Sequence, residues 1–238
     1  MLANPLDGSR RQIEEQIEAQ AVALVALSGI ICFLKGGLME RPHFTFDYLK
    51  GTQALNFFAL KEGGQINKMK ALKLVYFADR YHLRKYGRLV TDDSYVAMEH
   101  GPVPSASRDI IESSDYLDDS ARAYSERFLE AEGRELRSIN DLDVSVLSES
   151  DMEALEFAWE TFGELNQFEL RTVTHQYPEW SRWKKLLESA SVVQMDLRDF
   201  LKDPDTADAN KCFELNGADK AVRREHLADL AYIESLWK

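Results

Sequence analysis

The sequence predicts a mainly α protein: a compact helical domain with a small antiparallel β-sheet or hairpin, plus an N-terminal helical extension. Apolar side chains recur at three- and four-residue spacing through most segments, many of which begin at a capping residue. Two-residue alternation is confined to two short stretches. The apolar fraction of 45% over 238 residues supports a substantial core and excludes a disordered or fibrous chain. We expect an extension over residues 1–38 and one domain over residues 39–238.

The extension contains the most apolar segment of the chain, Ala21–Leu34. Its 14 residues fall short of the roughly 20 that a membrane-spanning helix needs. Acidic residues follow Arg10 and Arg11 where a signal peptide would be apolar, so we expect neither a membrane segment nor export. Two interpretations are open: a helix that docks on the domain or on a partner, or a start codon assigned upstream of Met39.

The beginning of the domain is predicted to contain two consecutive helices. Thr45 can cap the first, which ends before Gly63, and Asn67 can cap the second, which ends at Gly87. The centre of the second helix, residues 71–78, is apolar except for one lysine. We therefore expect this helix to be buried on most sides.

The middle of the domain is predicted to hold the strands. Residues 88–103 alternate around the acidic pair at Asp92, which is typical of a hairpin. Ser105 can cap the helix that follows. A charged helix is expected over residues 119–133, and residues 136–147 alternate like a further strand.

Four helices are predicted in the last part of the chain. Ser148 with Asp151, and Asn166 with Glu169, have the spacing of a capping box, in which each residue's side chain accepts from the other's backbone. Pro178 is suited to the first turn of a short helix. The last 20 residues have the pattern of a terminal helix.

Composition and motifs exclude several classes of function. The formal net charge of −12 repels phosphate backbones, so we expect no nucleic-acid partner. Phosphate-loop, dinucleotide-binding, zinc-protease and serine-hydrolase motifs are absent, and the five histidines lack metal-ligand spacing. Cys32 and Cys212 do not have the spacing of a redox or metal pair, which fits a reducing cytoplasm. We expect a cytoplasmic protein without a metal, a cofactor or catalytic residues.

Charge is distributed unevenly along the domain. Residues 61–88 hold eight bases and two acids, whereas residues 108–170 hold five bases and 18 acids. The second predicted helix carries a basic stripe with one aromatic residue: Lys70, Lys73, Phe77, Arg80 and Arg84. The stripe is either a docking face for an acidic partner or a face that pairs with the acidic half of the chain. Pairing within the chain is the favoured interpretation.

Residues 100–105 (HGPVPS) form an unusual local sequence, because a glycine stands between a predicted strand and two prolines. This composition favours a tight, rigid turn that presents His100 and the start of the next helix. It is either a well-made strand-to-helix connection or a corner that grips a partner's backbone or carboxylate. The pattern does not separate the two.

Four segments, taken in order, resemble the Panacea domain, which is also called SocA-like or GepA-like and is found in bacteria and phages. They are KALKLVYFADRYHLRKYGR (70–88), DDSYVAMEHGPVPS (92–105), LSESDMEALEFAWETFG (147–163) and THQYPEW (174–180). Each segment alone is weak, but the set is fairly specific. The resemblance spans Phe44 to Lys185 and leaves residues 1–38 unmatched.

The resemblance implies a mostly helical antitoxin of a two-gene toxin–antitoxin system, which neutralises an adjacently encoded toxin by direct protein contact. Such antitoxins pair with unrelated toxin types, and the resemblance carries over no catalytic residues. A first alternative is an adaptor that delivers the toxin to an ATP-dependent protease. A second is an enzyme that uses His100 or His175 with a nearby carboxylate.

The residues expected to bind the partner are those of the basic stripe, a neighbouring tyrosine and the glycine–proline corner: Lys70, Lys73, Phe77, Arg80, Arg84, Tyr86, His100, Gly101, Pro102, Val103 and Pro104. Trp180 and Trp183 are further candidate anchors, although core packing alone would explain them. An exposed stripe predicts that charge reversal at Arg80 and Arg84 weakens neutralisation without unfolding the protein.

Overall fold

The computed structural model describes residues 45–205 and 214–235. They form eight α-helices and two three-stranded antiparallel sheets, which confirms the mainly α prediction. The extension predicted over residues 1–38 lies outside the described residues. No helix within the described ranges is long and apolar enough to cross a membrane.

The helices are α1 (Tyr48–Lys61), α2 (Lys68–Tyr86), α3 (Ser105–Glu112), α4 (Asp119–Ser125), α5 (Glu149–Phe162), α6 (Gln167–Thr174), α7 (Pro178–Ser181) and α8 (Gly217–Ser235). The strands are β1 (Gln65–Asn67), β2 (Tyr95–Met98), β3 (Gly101–Pro104), β4 (Leu129–Glu132), β5 (Glu135–Ser138) and β6 (Val193–Gln194). Short 3₁₀ helices occupy Val144–Val146, Leu186–Glu188 and Leu197–Leu201.

Helix α2 lies at the centre of the fold, against α1, α5, α6 and β3. The side chain of Asn67 caps it by accepting from the backbone N–H groups two and three residues on, and Gly87 ends it with a φ of +85°. Both predicted ends are confirmed. Residues 71–78 are buried except for Leu72, which is half-buried, because neighbouring elements cover α2 on most sides.

The start of α1 differs from the prediction. Asp47, not Thr45, is the N-cap, and its carboxylate accepts from the backbone N–H of Lys50 at 3.1 Å. The Asp47 N–H donates to the carbonyl of Thr91 at 3.0 Å, so the same residue also joins α1 to the segment before β2. The predicted end is confirmed, with Gly63 following at a φ of +98°.

The hairpin of the second sheet, whose strand order is β3-β2-β6, is displaced from its predicted position. Its turn lies at Glu99 and His100 rather than at Asp92, which precedes the strands with a φ of +52°. Pro102 and Pro104 lie inside β3. This position is tolerated because β3 is an edge strand, where a missing N–H costs no ladder hydrogen bond.

Asp93, which the prediction placed at the hairpin turn, instead caps the helix that follows the hairpin. The Asp93 carboxylate accepts from the backbone N–H groups of Ala106 at 2.9 Å and Ser107 at 2.7 Å, and so caps α3 from a distant part of the chain. The prediction that Ser105 caps this helix is wrong, because Ser105 is already its first residue and Pro104 occupies the N-cap position without a capping side chain.

The first sheet, with strand order β1-β5-β4, also differs from the predicted boundaries. The helix expected over 119–133 ends at Ser125, and β4 pairs with β5 through a turn at Gly133, where φ is +55°. The strand expected over 136–147 ends at Ser138. A positive φ at the turn lets the chain reverse, and this reversal competes successfully with a continuous charged helix.

The last helices agree closely with the sequence. Ser148 with Asp151 and Asn166 with Glu169 both form complete capping boxes, at the starts of α5 and α6. Pro178 stands in the first turn of α7. Within the described residues, α8 confirms the predicted terminal helix.

Candidate functional site

The hairpin strand β3 passes between α2 and the segment that joins α6 to α7. The Lys73 ammonium donates to the carbonyl of Pro102 at 2.7 Å, and the Trp180 indole donates to the carbonyl of Met98 at 2.8 Å. Gly101 has a φ of +103°, and a Cβ there would lie 2.7 Å from the Thr174 hydroxyl oxygen. Three of the four segments that carry the resemblance therefore meet at one place, and glycine is required at their closest approach.

A groove of about 660 Å³ opens beside this contact. It lies between the first turns of α2, the β2–β3 turn, α3 and residues 187–191. Its apolar lining comes from Met69, Leu72, Met98, Val103, Leu187 and Ala190. A concave apolar surface with a few polar groups is the ordinary form of a binding site.

The basic stripe of α2 is not an exposed face. The stripe residues are all buried, with exposed fractions between 0% and 7%: Lys70, Lys73, Phe77, Arg80 and Arg84. The expectation of a docking face along α2 is wrong, because α2 is enclosed by its neighbours rather than lying at the surface.

The buried bases of the stripe have partners inside the chain. Arg80 pairs with Glu179 at 2.6 Å, and Arg84 pairs with Asp203 at 2.7 Å. Lys70 pairs with Glu62 at 2.6 Å. The favoured interpretation of pairing within the chain therefore describes these three bases, but their acids lie outside the acidic half, residues 108–170.

The burial of Arg80 and Arg84 also changes the expected effect of charge reversal there. A reversed charge at either position would face the carboxylate that now neutralises it, and at Arg80 both side chains are fully buried. Such a variant is expected to unfold, so it would not report on partner binding.

The other candidate residues fall in two separate places. Tyr86 is 36% exposed and donates to Glu153 at 2.5 Å at the C-terminal end of α2, whereas His100 is exposed and lines the groove near the N-terminal end. These ends are about 20 Å apart on a helix that rises 1.5 Å per residue.

The four residues of the glycine–proline corner are all buried: Gly101, Pro102, Val103 and Pro104. Of these four, Val103 lines the groove. Trp180 is buried.

Basic side chains influence one another's ionisation beside the groove in what we call the cationic corner: Lys73, His100, Arg171, His175 and Lys184. Of these five, Lys73 and His100 line the groove. Burial lowers the pKa of His175 to about 4, and the other four cationic corner residues lower it further. Burial, followed by the charge of Arg171, lowers the pKa of Lys73 to about 7. Among the described residues, no carboxylate pairs with Lys73, Arg171 or Lys184.

The cationic corner has hydrogen-bonding capacity that the described residues do not use. The His175 ring stacks on Trp180 with centroids 3.6 Å apart, and its buried Nε2 has no partner among the described residues. The buried Nε of Arg171 and indole nitrogen of Trp183 also have no partner. Unused buried donors beside uncompensated cations can bind an anionic group.

Sequence reasoning missed Arg171 and Lys184 as candidate residues. They stand about 100 residues after Lys73 in the sequence, and no periodic pattern links the two regions. The available signal was the segment 174–180, which supports the resemblance and lies between the two residues.

The fold is a helical domain with a groove at the place where three of its most characteristic segments meet. Residues 72–181 match the family model described as antitoxin SocA-like, Panacea domain. This match confirms the resemblance to the SocA-like Panacea domain, whose model is described as that of an antitoxin. It covers the chain from the first half of α2 to the end of α7. Comparisons with curated proteins and with solved structures find no match.

Proposed function

We propose that the protein neutralises a toxin encoded by a neighbouring gene through direct binding, and that the groove is the toxin-binding surface. The observation that carries this proposal is the position of the groove, at the contact between family segments 70–88, 92–105 and 174–180. If the antitoxins of a family bind their toxins in a common way, the segments that they share are expected to build the binding surface.

The lining of the groove suits a protein segment as its occupant. The volume of about 660 Å³ lies within the range of ligand sites and accommodates a few side chains of a partner. Met69 and Met98 contribute to its walls, and methionine side chains adapt to differently shaped partners. This adaptability fits a family whose members pair with unrelated toxin types.

We also propose that protection requires no catalysis by this protein. Neither His100 nor His175 hydrogen-bonds a carboxylate within the described part of the chain. An imidazole that acts as a general base is normally oriented by such a partner. The stacked, half-buried ring of His175 fits a packing role.

The test compares growth of cells that express each neighbouring gene alone or with this protein. Ala190→Trp fills the groove, and Ala123→Trp is the matched control because Ala123 is exposed on α4, away from it. We expect one neighbour to arrest growth, and we expect the wild type and Ala123→Trp to relieve the arrest. Ala190→Trp should fold, as judged by an unchanged melting temperature, and fail to protect.

Three results would change this proposal. Absence of toxicity from every neighbour would contradict the antitoxin function, and full protection by Ala190→Trp would contradict the groove as the binding surface. Protection that disappears in cells lacking an ATP-dependent protease, together with a falling toxin level, would favour the adaptor alternative over direct neutralisation.

A further inference from the structure

We propose that β4 is a docking edge for a second protein, which adds an extended segment to the first sheet as a further strand. This segment alternates Lys or Arg with apolar residues. The inference goes beyond the proposed function because it concerns a different surface: β4 (Leu129–Glu132) contributes no residue to the lining of the groove. Recognition by strand addition combines main-chain hydrogen bonds with side-chain selectivity at alternate positions.

The first argument is that β4 lies at an edge of its sheet. The strand order β1-β5-β4 gives it one neighbouring strand among the described residues. The N–H of Ile139 donates to the carbonyl of Phe128 at 2.9 Å, and hydrogen-bonded pairs alternate along an antiparallel ladder. The two glutamates of β4 therefore exchange hydrogen bonds with β5, whereas the N–H and C=O groups of Leu129 and Ala131 point away from it.

The outward-pointing groups have no partner in the described part of the chain. No hydrogen bond joins the backbone of Leu129 or Ala131 to a described residue outside the ladder. Ala131 is exposed, so another chain can reach this edge from the solvent. A row of unpaired N–H and C=O groups is a template for a further strand.

The β3 edge of the other sheet, by contrast, is closed to strand addition. The N–H of Ser105 donates to the carbonyl of Ser94 at 2.8 Å, which fixes the alternation and leaves Pro102 and Pro104 at the outward-pointing positions. Proline has no N–H to donate, and the Pro102 carbonyl already accepts from Lys73 at 2.7 Å. Strand β4 contains no proline, so its edge keeps both donors and acceptors.

A second copy of this chain is a poor occupant of the β4 edge. Outward-pointing residues must face each other, so two β4 strands related by a two-fold axis align over three residues in only two registers. One register places Glu130 opposite Glu130 of the second copy, and the other places it opposite Glu132. Like charges directly opposite each other are destabilising. The charges of β4 therefore oppose pairing between two copies.

The same charges favour a basic segment. Glu130 and Glu132 share one cation, Arg137, at 3.4 and 3.2 Å. Glu135 lies directly opposite Glu132 in the β4–β5 pair, so two carboxylates face each other on one side of the sheet. A Lys or Arg placed opposite Glu132 by an added strand supplies the missing positive charge.

The alternation of the sheet also determines the other positions of the segment. Leu129 and Ala131 lie on the opposite face from the glutamates, together with the buried side chain of Leu136. This face packs against α1. Side chains that an added strand places beside Leu129 and Ala131 continue the apolar face, so we expect them to be apolar.

The first measurement tests whether the edge is open in the full chain. Amide hydrogen exchange is followed by NMR at Ala131, whose N–H points outward, and at Glu130, whose N–H is bonded to β5. We expect exchange at Ala131 to be at least about tenfold faster than at Glu130. Equally slow exchange at both positions would show that the edge is already covered, and it would overturn the proposal.

The second measurement uses a peptide designed for this register, acetyl-Thr-Lys-Val-Lys-Val-Thr-amide. We expect it to bind the full chain with a Kd on the order of 1–10 mM and to shift the amide resonances of Leu129 and Ala131. In one control peptide Glu replaces both lysines, and in another both valine nitrogens are methylated, which removes the N–H groups that face β4. Neither control should bind. Absence of binding by the designed peptide, or equal binding by all three, would overturn strand addition.

Three variants of this protein test the same contact from the other side. Ala131→Pro removes an outward N–H without removing a ladder hydrogen bond, so we expect an unchanged melting temperature and loss of peptide binding. Glu132→Gln should weaken binding about two- to fivefold, as expected for an exposed ion pair. Glu160→Gln is its matched control, because Glu160 is an exposed glutamate on α5, and it should bind like the wild type.

Two results for these variants would contradict the proposal. Ala131→Pro that folds and still binds the peptide would exclude main-chain pairing at this edge, and if Ala131→Pro unfolds, the methylated peptide decides the same question. Equal effects of Glu132→Gln and Glu160→Gln would show that the peptide responds to net charge alone.

A final measurement separates the basic partner from a second copy. Analytical ultracentrifugation of the full chain follows association with rising protein concentration, and we expect Ala131→Pro to leave the result unchanged. A dimer that Ala131→Pro abolishes would assign the edge to a second copy and overturn the inference of a basic partner. None of these measurements requires a toxin, so their outcome is independent of the proposed function.

Discussion

Buried charges on α2 illustrate how single residues stabilise this protein. Arg80 is fully buried, and its Nε donates to Glu179 at 2.6 Å, while the Tyr76 hydroxyl donates to the same carboxylate oxygen at 2.6 Å. Removing both charges from water costs several kcal/mol, and their attraction offsets this cost only while both are present. The buried pair of Arg80 and Glu179 therefore fixes the position of α7 against α2, while its net contribution to the free energy of unfolding is small.

This arrangement predicts that Glu179→Gln is strongly destabilising. The variant leaves the Arg80 charge buried opposite a neutral amide, and we expect a loss of about 3–5 kcal/mol in the free energy of unfolding. Lys61→Gln is the control, because it breaks an exposed pair with Glu156 and should cost less than about 1 kcal/mol. Urea titration followed by circular dichroism measures both. A similar small loss for the two variants would contradict the structural role of the buried pair.

At the residue scale, the sequence indicated which side chains share a face of α2 but not where that face points. The spacing of Lys73, Phe77, Arg80 and Arg84 correctly places them along one side of a helix. Their burial depends on partners as distant as Asp203, which no helical period can reveal. The apolar run over 71–78 was the better local signal of burial.

At the scale of elements, the β2–β3 hairpin shows how one glycine makes a close contact possible. Gly101 pairs with Met98 at the turn, and a Cβ on it would lie 2.7 Å from Thr174 Oγ1 and 2.8 Å from Lys73 Nζ. Both distances are shorter than a Cβ atom tolerates. The hairpin, α2 and α6 can therefore approach each other only with glycine at this position.

Gly101→Ala is expected to destabilise the protein by about 2–4 kcal/mol, because it combines backbone strain at positive φ with a steric contact. Gly63→Ala is a suitable control: its φ is +98°, but nothing lies within 4 Å of the added methyl group. It should lose only the backbone contribution, about 1–2 kcal/mol. The difference between the two variants in thermal unfolding isolates the cost of the steric contact at position 101. Equal losses in the free energy of unfolding would show that this contact costs nothing.

The elements themselves were predicted best where their ends depend on neighbouring residues. The capping boxes at Ser148 and Asn166 and the stop at Gly87 need only residues within a few positions, and all three are confirmed. The cap of α3 was missed because Asp93 reaches it across the hairpin. The turn at Gly133 was missed because charged residues around it also suit a helix.

At the scale of the whole molecule, His82 links α2 to α5. Its Nδ1 lies 2.8 Å from the carbonyl of Arg88 and therefore donates to it, while its Nε2 lies 3.0 Å from the Ser150 hydroxyl and accepts from it. Burial, outweighing the raising effect of that carbonyl, lowers the pKa of His82 to about 4. The folded protein therefore keeps this histidine neutral over a pH range in which the unfolded chain protonates it.

The contribution of His82 to the free energy of unfolding is accordingly expected to fall as the pH falls from about 6.5 to about 4, because the unfolded chain binds the proton more tightly. His82→Gln removes this contribution and should reduce that loss by on the order of 2 kcal/mol. Asp93 acts in the opposite direction, since burial raises its pKa to about 7. The difference between variant and wild type at each pH therefore isolates His82. If the free energies of unfolding of the wild type and of His82→Gln change with pH in the same way, the lowered pKa of His82 in the folded protein is contradicted.

The cationic corner also depends on the whole molecule, because its residues come from several elements. Lys73 comes from α2, His100 from the hairpin, and Arg171 and His175 from the end of α6. Only the packing of these elements around β3 brings Lys73 and His100, which line the groove, near Arg171 and His175.

The amino-acid sequence alone was sufficient for the fold class, the resemblance to the Panacea domain, most helix ends and the burial of α2, because each follows from periodicity, capping or motifs along a short stretch. The register of the hairpin, the partners of the buried charges and the position of the groove required the folded molecule. Pairs such as Arg80 with Glu179 join residues about 100 positions apart, and their energies depend on the exclusion of water. Contacts of that kind arise from packing, so a pattern along the chain contains no record of them.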